Sequence, residues 1–243
     1  MLLGKKKIMN KIPVAEIFGP TIQGEGSNVG IKTLFVRVIG CDFNCAWCDS
    51  KFAWKVNQDT KFYEVDELAN LLIEMCNNTN TGHVILTGGN PCLYDFEELI
   101  VKLHDNDITV DVETQGSKTP NWLKKIDTIV FSPKAPSSKQ KDVFENIANY
   151  LKDSDQPIVI KIPIFNEEDF QFALKYYNLT TKYKNVKMYL SVGNTNTTES
   201  GDISRRVLDD YKKLIDRVMN SEMKKVYILP QVHTLVWNNK QGV

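Results

Sequence analysis

The chain has 243 residues, long enough to bury a sizeable core as one domain, and its 30 basic side chains balance 30 acidic ones. That balance removes the polyelectrolyte signature, so neither nucleic acid nor an anionic membrane is an expected partner; the basic run Lys5 to Lys7 reads as a solvated terminus. No apolar stretch is long enough to span a bilayer, and residues 1–13 lack the hydrophobic middle of a secretion signal, so a cytoplasmic protein is expected.

Strand and helix patterns alternate along the chain. The spacing predicts a strand over 33–40, a helix over 64–78, a strand over 83–89, a helix over 96–107 and strands over 108–114 and 128–134. A helical stretch near 138–152 follows, then a strand over 157–164, a helix over 167–178, a strand over 187–193, a helix over 205–220 and a strand over 225–233. Several strands are near-continuous apolar runs, the pattern of parallel strands covered on both faces and joined by right-handed crossovers. The expectation is one α/β domain over residues 1–243, with mostly parallel strands in either a partial barrel or an open wound sheet. Such sheets hold their chemistry beyond the carboxyl ends of the strands. Four unusual loops fall there: "GCDFNCAWCDS" (40–50), "TGGNP" (87–91), "ETQG" (113–116) and "SPK" (132–134).

Three of the five cysteines, Cys41, Cys45 and Cys48, crowd into the first of these loops. An odd, clustered set suits a metal ligand group in a reducing compartment better than disulfides. Cys76 at the end of an amphipathic helix and Cys92 after a proline read as packing or loop residues. Thiolates are soft ligands for zinc or for iron–sulfur clusters. Zinc in a structural site needs four protein ligands, and His83, His104 and His233 show no finger spacing to the cysteines. A four-iron cluster held by three cysteines leaves one iron open, and the short spacing lets one loop wrap three corners. The open iron can take the amino and carboxylate groups of S-adenosylmethionine. Trp47, just before the third cysteine, can lie against an adenine or be an ordinary buried tryptophan.

The cysteine spacing with its aromatic resembles the signature of radical S-adenosylmethionine (SAM) enzymes. The segment "EIFGPTIQGEGSNVGIKTLFVRVIGCDFNCAWCDS" (16–50), with "TGGNP", "ETQG", "SPK" and the tail "LPQVHTLVWNNKQGV" (229–243), is similar more particularly to the 7-carboxy-7-deazaguanine synthase family. The similarity runs from Pro13 to Val243, and it favours the Gram-positive branch with short cysteine spacing. It implies a partial (β/α) barrel, a [4Fe–4S] cluster, S-adenosylmethionine and Mg2+ as cofactors, and a homodimer supplied with single electrons by a flavodoxin- or ferredoxin-type donor. The implied reaction converts 6-carboxy-5,6,7,8-tetrahydropterin to 7-carboxy-7-deazaguanine with loss of ammonia, on the route to queuosine. A glycyl-radical activating enzyme and a structural zinc protein are the alternatives.

The resemblance assigns residues that also have plainer readings. Cys41, Cys45 and Cys48 would hold the cluster. Ile22, Gln23 and Gly24 would contact the pterin, although "TIQGEG" alone reads equally as a tight turn. Arg37 lies in an apolar strand and needs a carboxylate, either the substrate's or an internal one. Ser50 would bind magnesium, while Asp49 or Ser50 could instead cap a helix. Trp47, Cys48, Asp49, Gly89, Asn90, Ser132, Pro133 and Lys134 would contact S-adenosylmethionine. Asn90 stands where most such enzymes have a glutamate that accepts from the methionine amino group. Thr87 would meet substrate, Glu113 would hold a ribose hydroxyl or merely end its strand, and the carboxylate of Val243 would reach back to the pterin.

Overall fold

The computed structural model describes residues 11–194, 196–197 and 199–242. In chain order its regular elements begin with β1 (Ile12–Ile22), β2 (Lys32–Val38), β3 (Lys61–Tyr63), α1 (Val65–Thr79), β4 (His83–Gly88), α2 (Glu97–His104), β5 (Thr109–Thr114) and β6 (Thr128–Phe131). They continue with α3 (Phe144–Lys152), β7 (Ile158–Ile164), α4 (Glu167–Thr180), β8 (Val186–Val192), α5 (Ser204–Met219), β9 (Tyr227–Leu229) and α6 (Val232–Trp237). Short 3-10 turns occur at Lys51–Ala53, Pro91–Leu93, Asn121–Lys125 and Pro136–Ser138.

The helices form for local reasons. In α1, Leu68, Leu72 and Cys76 recur at four-residue spacing on the buried side, and Asn80 ends the helix in the left-handed region. Asn166 caps α4 by accepting from the Asp169 N–H, and three acidic residues sit in the first turn, where the helix dipole favours them. No helix among the described residues is long and apolar enough to cross a membrane.

The nine strands form one open sheet in the order β3-β1-β2-β4-β5-β6-β7-β8-β9. From β2 to β9 every neighbouring pair is parallel, whereas β1 runs antiparallel to both β2 and β3. On the outer face Leu34, Val36, Val84, Leu86, Val110, Val112, Ile158, Ile160, Met188 and Leu190 are buried in the main core. The alternate side chains face inward over a small apolar floor of Val130, Val159 and Tyr189. The sheet is curled. Flat, it would separate β1 from β7 by about 24 Å at about 4.8 Å per strand, yet Glu25, just after β1, bonds Lys161 of β7 at 2.5 Å. This is the partial barrel expected from the sequence.

Two strands and one helix were not legible in the pattern. β1 contains Pro13 and the Gly19–Pro20 pair, which argue against a strand, and accommodates them through two shifts of register. β3 has only three residues. The strand expected over 225–233 is divided, its first part forming β9 and its last two residues opening α6. The helical stretch near 138–152 is regular only from Phe144.

Candidate active site

A cavity of about 310 Å³ opens at the carboxyl ends of the parallel strands. The cysteine loop forms one wall. Its position is fixed by main-chain bonds from Gly40 N to Ala53 O (2.8 Å) and from Ala46 N to Ser138 O (3.0 Å). Cys41, Cys45 and Cys48 are free thiols and all line the cavity. Burial pushes each thiol up, Cys45 to about 11, while Lys134 pulls the other way. Ionising any of Cys41, Cys45 or Cys48 is also opposed by a neighbouring negative group, so a bound cationic centre is needed to hold all three as thiolates.

This donor set suits a cluster rather than one ion. Among the described residues, no three His, Cys, Asp or Glu side chains converge on a point where a single metal could sit. His83 is engaged with Thr33 (2.9 Å) and His104 with Asp127 (2.9 Å), which removes both as the fourth donor of a closed zinc site. Three thiols along one loop meet what separate irons of a cluster require.

Beside the thiols, the Trp47 ring stacks on Phe165 with centroids 4.8 Å apart, and its Nε1 donates to Ser137 Oγ at 2.9 Å. Lys134 Nζ lies 5.5 Å over the same ring and donates to Ser132 Oγ at 3.0 Å. Trp47, Ser132 and Lys134 thus make an aromatic, cationic wall for a nucleoside-sized group.

A second group lies near Arg37. Its Nε donates to Glu16 Oε1 at 2.7 Å and its Nη1 to Ser50 Oγ at 2.9 Å. Ser50 in turn donates to Asp49 Oδ1 at 2.9 Å and makes no side-chain cap for the turn that follows. Its hydroxyl therefore keeps one lone pair, enough for a hard cation.

The third group is a buried network. Lys161 Nζ bonds Glu25 Oε2 (2.5 Å) and Glu113 Oε1 (3.0 Å), Gln231 donates to Glu25 Oε1 (2.6 Å), and Gln23 Nε2 donates to Glu113 Oε1 (3.0 Å). Burial alone would raise the Glu25 carboxyl, but the Lys161 ammonium, followed by His233, holds it down at about 2. Close approach explains Gly24: a Cβ there would lie 2.2 Å from His233 Nδ1. A Cβ on Gly89 would meet Gly40 O at 2.0 Å.

Comparison with known proteins agrees with this geometry. The Radical SAM superfamily model matches residues 36–177. The 7-carboxy-7-deazaguanine synthase of Bacillus cereus is 43% identical over 97% of this chain and 100% of its own, and that of Bacillus subtilis 39% identical over 96% and 98%. The chain belongs to the 7-carboxy-7-deazaguanine synthase family. In fold it is similar to the crystal structure of QueE from Escherichia coli, with a TM-score of 0.66, 21% identity, and coverage of 95% of this chain and 98% of that one. As a radical SAM enzyme it takes a [4Fe–4S] cluster and S-adenosylmethionine, which the three thiols and the Trp47–Lys134 wall can accommodate.

Of the positions assigned by resemblance to this family, Ile22, Gln23, Gly24, Arg37, Cys41, Cys45, Trp47, Cys48, Asp49, Ser50, Thr87, Gly89, Ser132 and Lys134 line the one cavity, as does Glu113. Three differ. Asn90, expected as a cofactor contact, is wholly buried and does not line it. Pro133 is buried between Ser132 and Lys134 and is also absent from the lining. Val243 lies outside the described residues. Arg37 has its internal carboxylate in Glu16, with Nη2 left over. Sequence reasoning missed Glu25, Lys161, Phe165 and Gln231 and gave His233 only a zinc role. Lys161 carried a usable signal, a lone charge in the apolar run "PIVIKIPI".

Proposed function

We propose that the protein converts 6-carboxy-5,6,7,8-tetrahydropterin to 7-carboxy-7-deazaguanine with loss of ammonia. The observation that carries this reading is the shared cavity. A three-thiol loop forms one wall and faces a carboxylate-and-amide network that suits a flat, polar heterocycle. A volume of about 310 Å³ also suits a small molecule rather than a protein segment.

When bound, held by Cys41, Cys45 and Cys48 and by the Trp47–Lys134 wall, the cluster and S-adenosylmethionine would supply one-electron radical chemistry. The chain's own residues do the rest. Glu25 and Glu113, each bonded to Lys161 Nζ, accept from ring N–H groups. Gln23 and Gln231 each donate to one of these carboxylates and fix its direction. Arg37 offers Nη2 to the substrate carboxylate, and Ser50 offers its remaining lone pair to a Mg2+ ion at that carboxylate. Phe18, Phe35 and Phe52 line the same space and exclude water.

A single domain over residues 1–243, a cytoplasmic location, a homodimer and a flavodoxin- or ferredoxin-type donor complete the proposal. The exposed Phe62 and Tyr227 on the two edge strands support association. The test is anaerobic reconstitution followed by incubation with the carboxytetrahydropterin, a reductant and S-adenosylmethionine. The deazaguanine acid should accumulate, and Cys41→Ala should abolish deoxyadenosine formation. Deoxyadenosine from that variant at the wild-type rate would overturn the reading.

A further inference from the structure

Asn90 has no capacity left for a ligand. Its Nδ2 donates to Asp42 Oδ1 at 2.9 Å and to Ser117 Oγ at 3.0 Å, while its Oδ1 accepts from Cys92 N at 3.1 Å and Thr114 Oγ1 at 2.8 Å. Those bonds fill the two donors and two lone pairs of a primary amide, in a side chain with 0% exposure. Its backbone N–H donates to Gly40 O at 2.7 Å, directly before the first cysteine.

The acceptor Asp42 stands between Cys41 and Phe43 on the cysteine loop. Its Oδ1 takes a second bond from Gln115 Nε2 at 2.6 Å, and the same Nε2 lies 3.8 Å from Cys41 Sγ. Two buried amides, one from the end of β4 and one from the end of β5, therefore converge on a single carboxylate oxygen. Hydrogen bonds to a charged group are among the stronger ones available to a loop.

We propose that Asn90 and Gln115 are positioning residues that clamp the cysteine loop at Asp42 and so hold Cys41 in place for the cluster. The role requires a side chain that donates at one end and accepts at the other, which explains an amide at position 90. A carboxylate there would keep the bonds from Cys92 and Thr114 but set its second oxygen against Asp42 Oδ1 across 2.9 Å, like charge to like charge. The proposal rests on the cluster reading given above and deepens it.

Asp42→Ala is the first variant to test. Asp42 is an exposed residue, and its removal leaves Asn90 Nδ2 bonded to Ser117 and Gln115 Nε2 within 3.4 Å of the same hydroxyl. The apo-chain should stay folded and melt no more than about 10 °C below wild type, the shift that loss of hydrogen bonds to a charged group produces in a chain of this size. Amide hydrogen exchange in residues 40–48 of that apo-chain should be faster. After anaerobic loading with iron and sulfide, chelator should strip the variant at least about tenfold faster, reflecting loss of charged hydrogen bonds. Asn90→Asp should show the same defect, and Asp42→Asn in the same chain should return the stripping rate to within about threefold of wild type by restoring a donor–acceptor match. Wild-type stripping and exchange rates in Asp42→Ala would overturn the clamp, as would an Asn90→Asp defect that Asp42→Asn fails to relieve. If Asn90→Asp does not fold, Asp42→Ala decides alone. Failure of the wild-type chain to take up iron and sulfide would count against the cluster itself, a result distinct from failure of the clamp.

Discussion

Lys161 is the one charge in the β7 strand "IVIKIPI", and Arg37 interrupts the apolar run of β2, "KTLFVRV", whose other charge is the exposed Lys32 at its start. Both turn toward the inner face and find carboxylates there, but their surroundings differ. Arg37 retains 18% side-chain exposure with one partner, whereas Lys161 retains 7% and has two. Removing one member of a buried charged group leaves the others uncompensated, at a cost of about 3–5 kcal/mol. Lys161→Met should therefore lower stability by about that amount in urea titration, and a loss below about 1 kcal/mol would show the network to be well solvated. Acid should act through the same group. Glu25 is lowered from 4.5 to about 2 on folding, so between those values the unfolded chain binds more protons than the native one. The stabilisation is present at neutral pH and is lost as pH falls from about 4.5 to about 2. The stability gap between wild type and Glu25→Gln should close over that window. A gap that stays constant from pH 6 to pH 2 would contradict the assignment. Asn90 marks the limit of residue-scale reading: a motif gives a residue's place in the chain, but not whether its side chain faces the cavity or the packing beneath it.

Elements with strong periodicity were legible because burial on one or both faces enforced their composition. The parallel strands from β2 to β8 and the helices between them follow from apolar runs and 3.6-residue stripes. β1 was not, since proline and glycine in its middle outweigh its apolar positions until pairing with β2 is known. α6 was hidden for a different reason: the apolar run that suggests a strand continues past β9 and turns helical where Gly24 allows contact. The α6 residue Val232 donates its N–H to Gly24 O at 3.0 Å, and His233 packs where a Gly24 side chain would be. Gly24→Ala must therefore move α6 away from the loop after β1. At least a tenfold fall in kcat/KM for the carboxytetrahydropterin is expected, with iron content unchanged, because Gly24 packs on α6 rather than on the cysteine loop. Loss of iron together with activity would point instead to general unfolding.

At the scale of the whole molecule, the cavity draws its walls from Phe18 through Gly242, so no fragment of the chain contains the site. That distribution has a thermodynamic consequence. The cavity is lined by the ends of β2, β4, β5, β7 and β8 as well as the loops that follow β1 and α6, and it is complete only when all of them are in place. Binding energy should then stabilise the fold as one unit. A ligand at a hundred times its dissociation constant contributes about 2.7 kcal/mol to a native state that alone binds it. For a chain of this size, about 1 kcal/mol moves the midpoint by about 2–4 °C, so saturating S-adenosylmethionine should raise the melting temperature of anaerobic, cluster-loaded protein by about 5–10 °C. The calorimetric transition should remain single as it shifts, since none of the strands that line the cavity can leave without opening it. Two separated transitions, only one of them responsive to S-adenosylmethionine, would mean that the strands flanking the cysteine loop fold apart from those carrying Lys161, and that the two walls of the cavity belong to separate cooperative units.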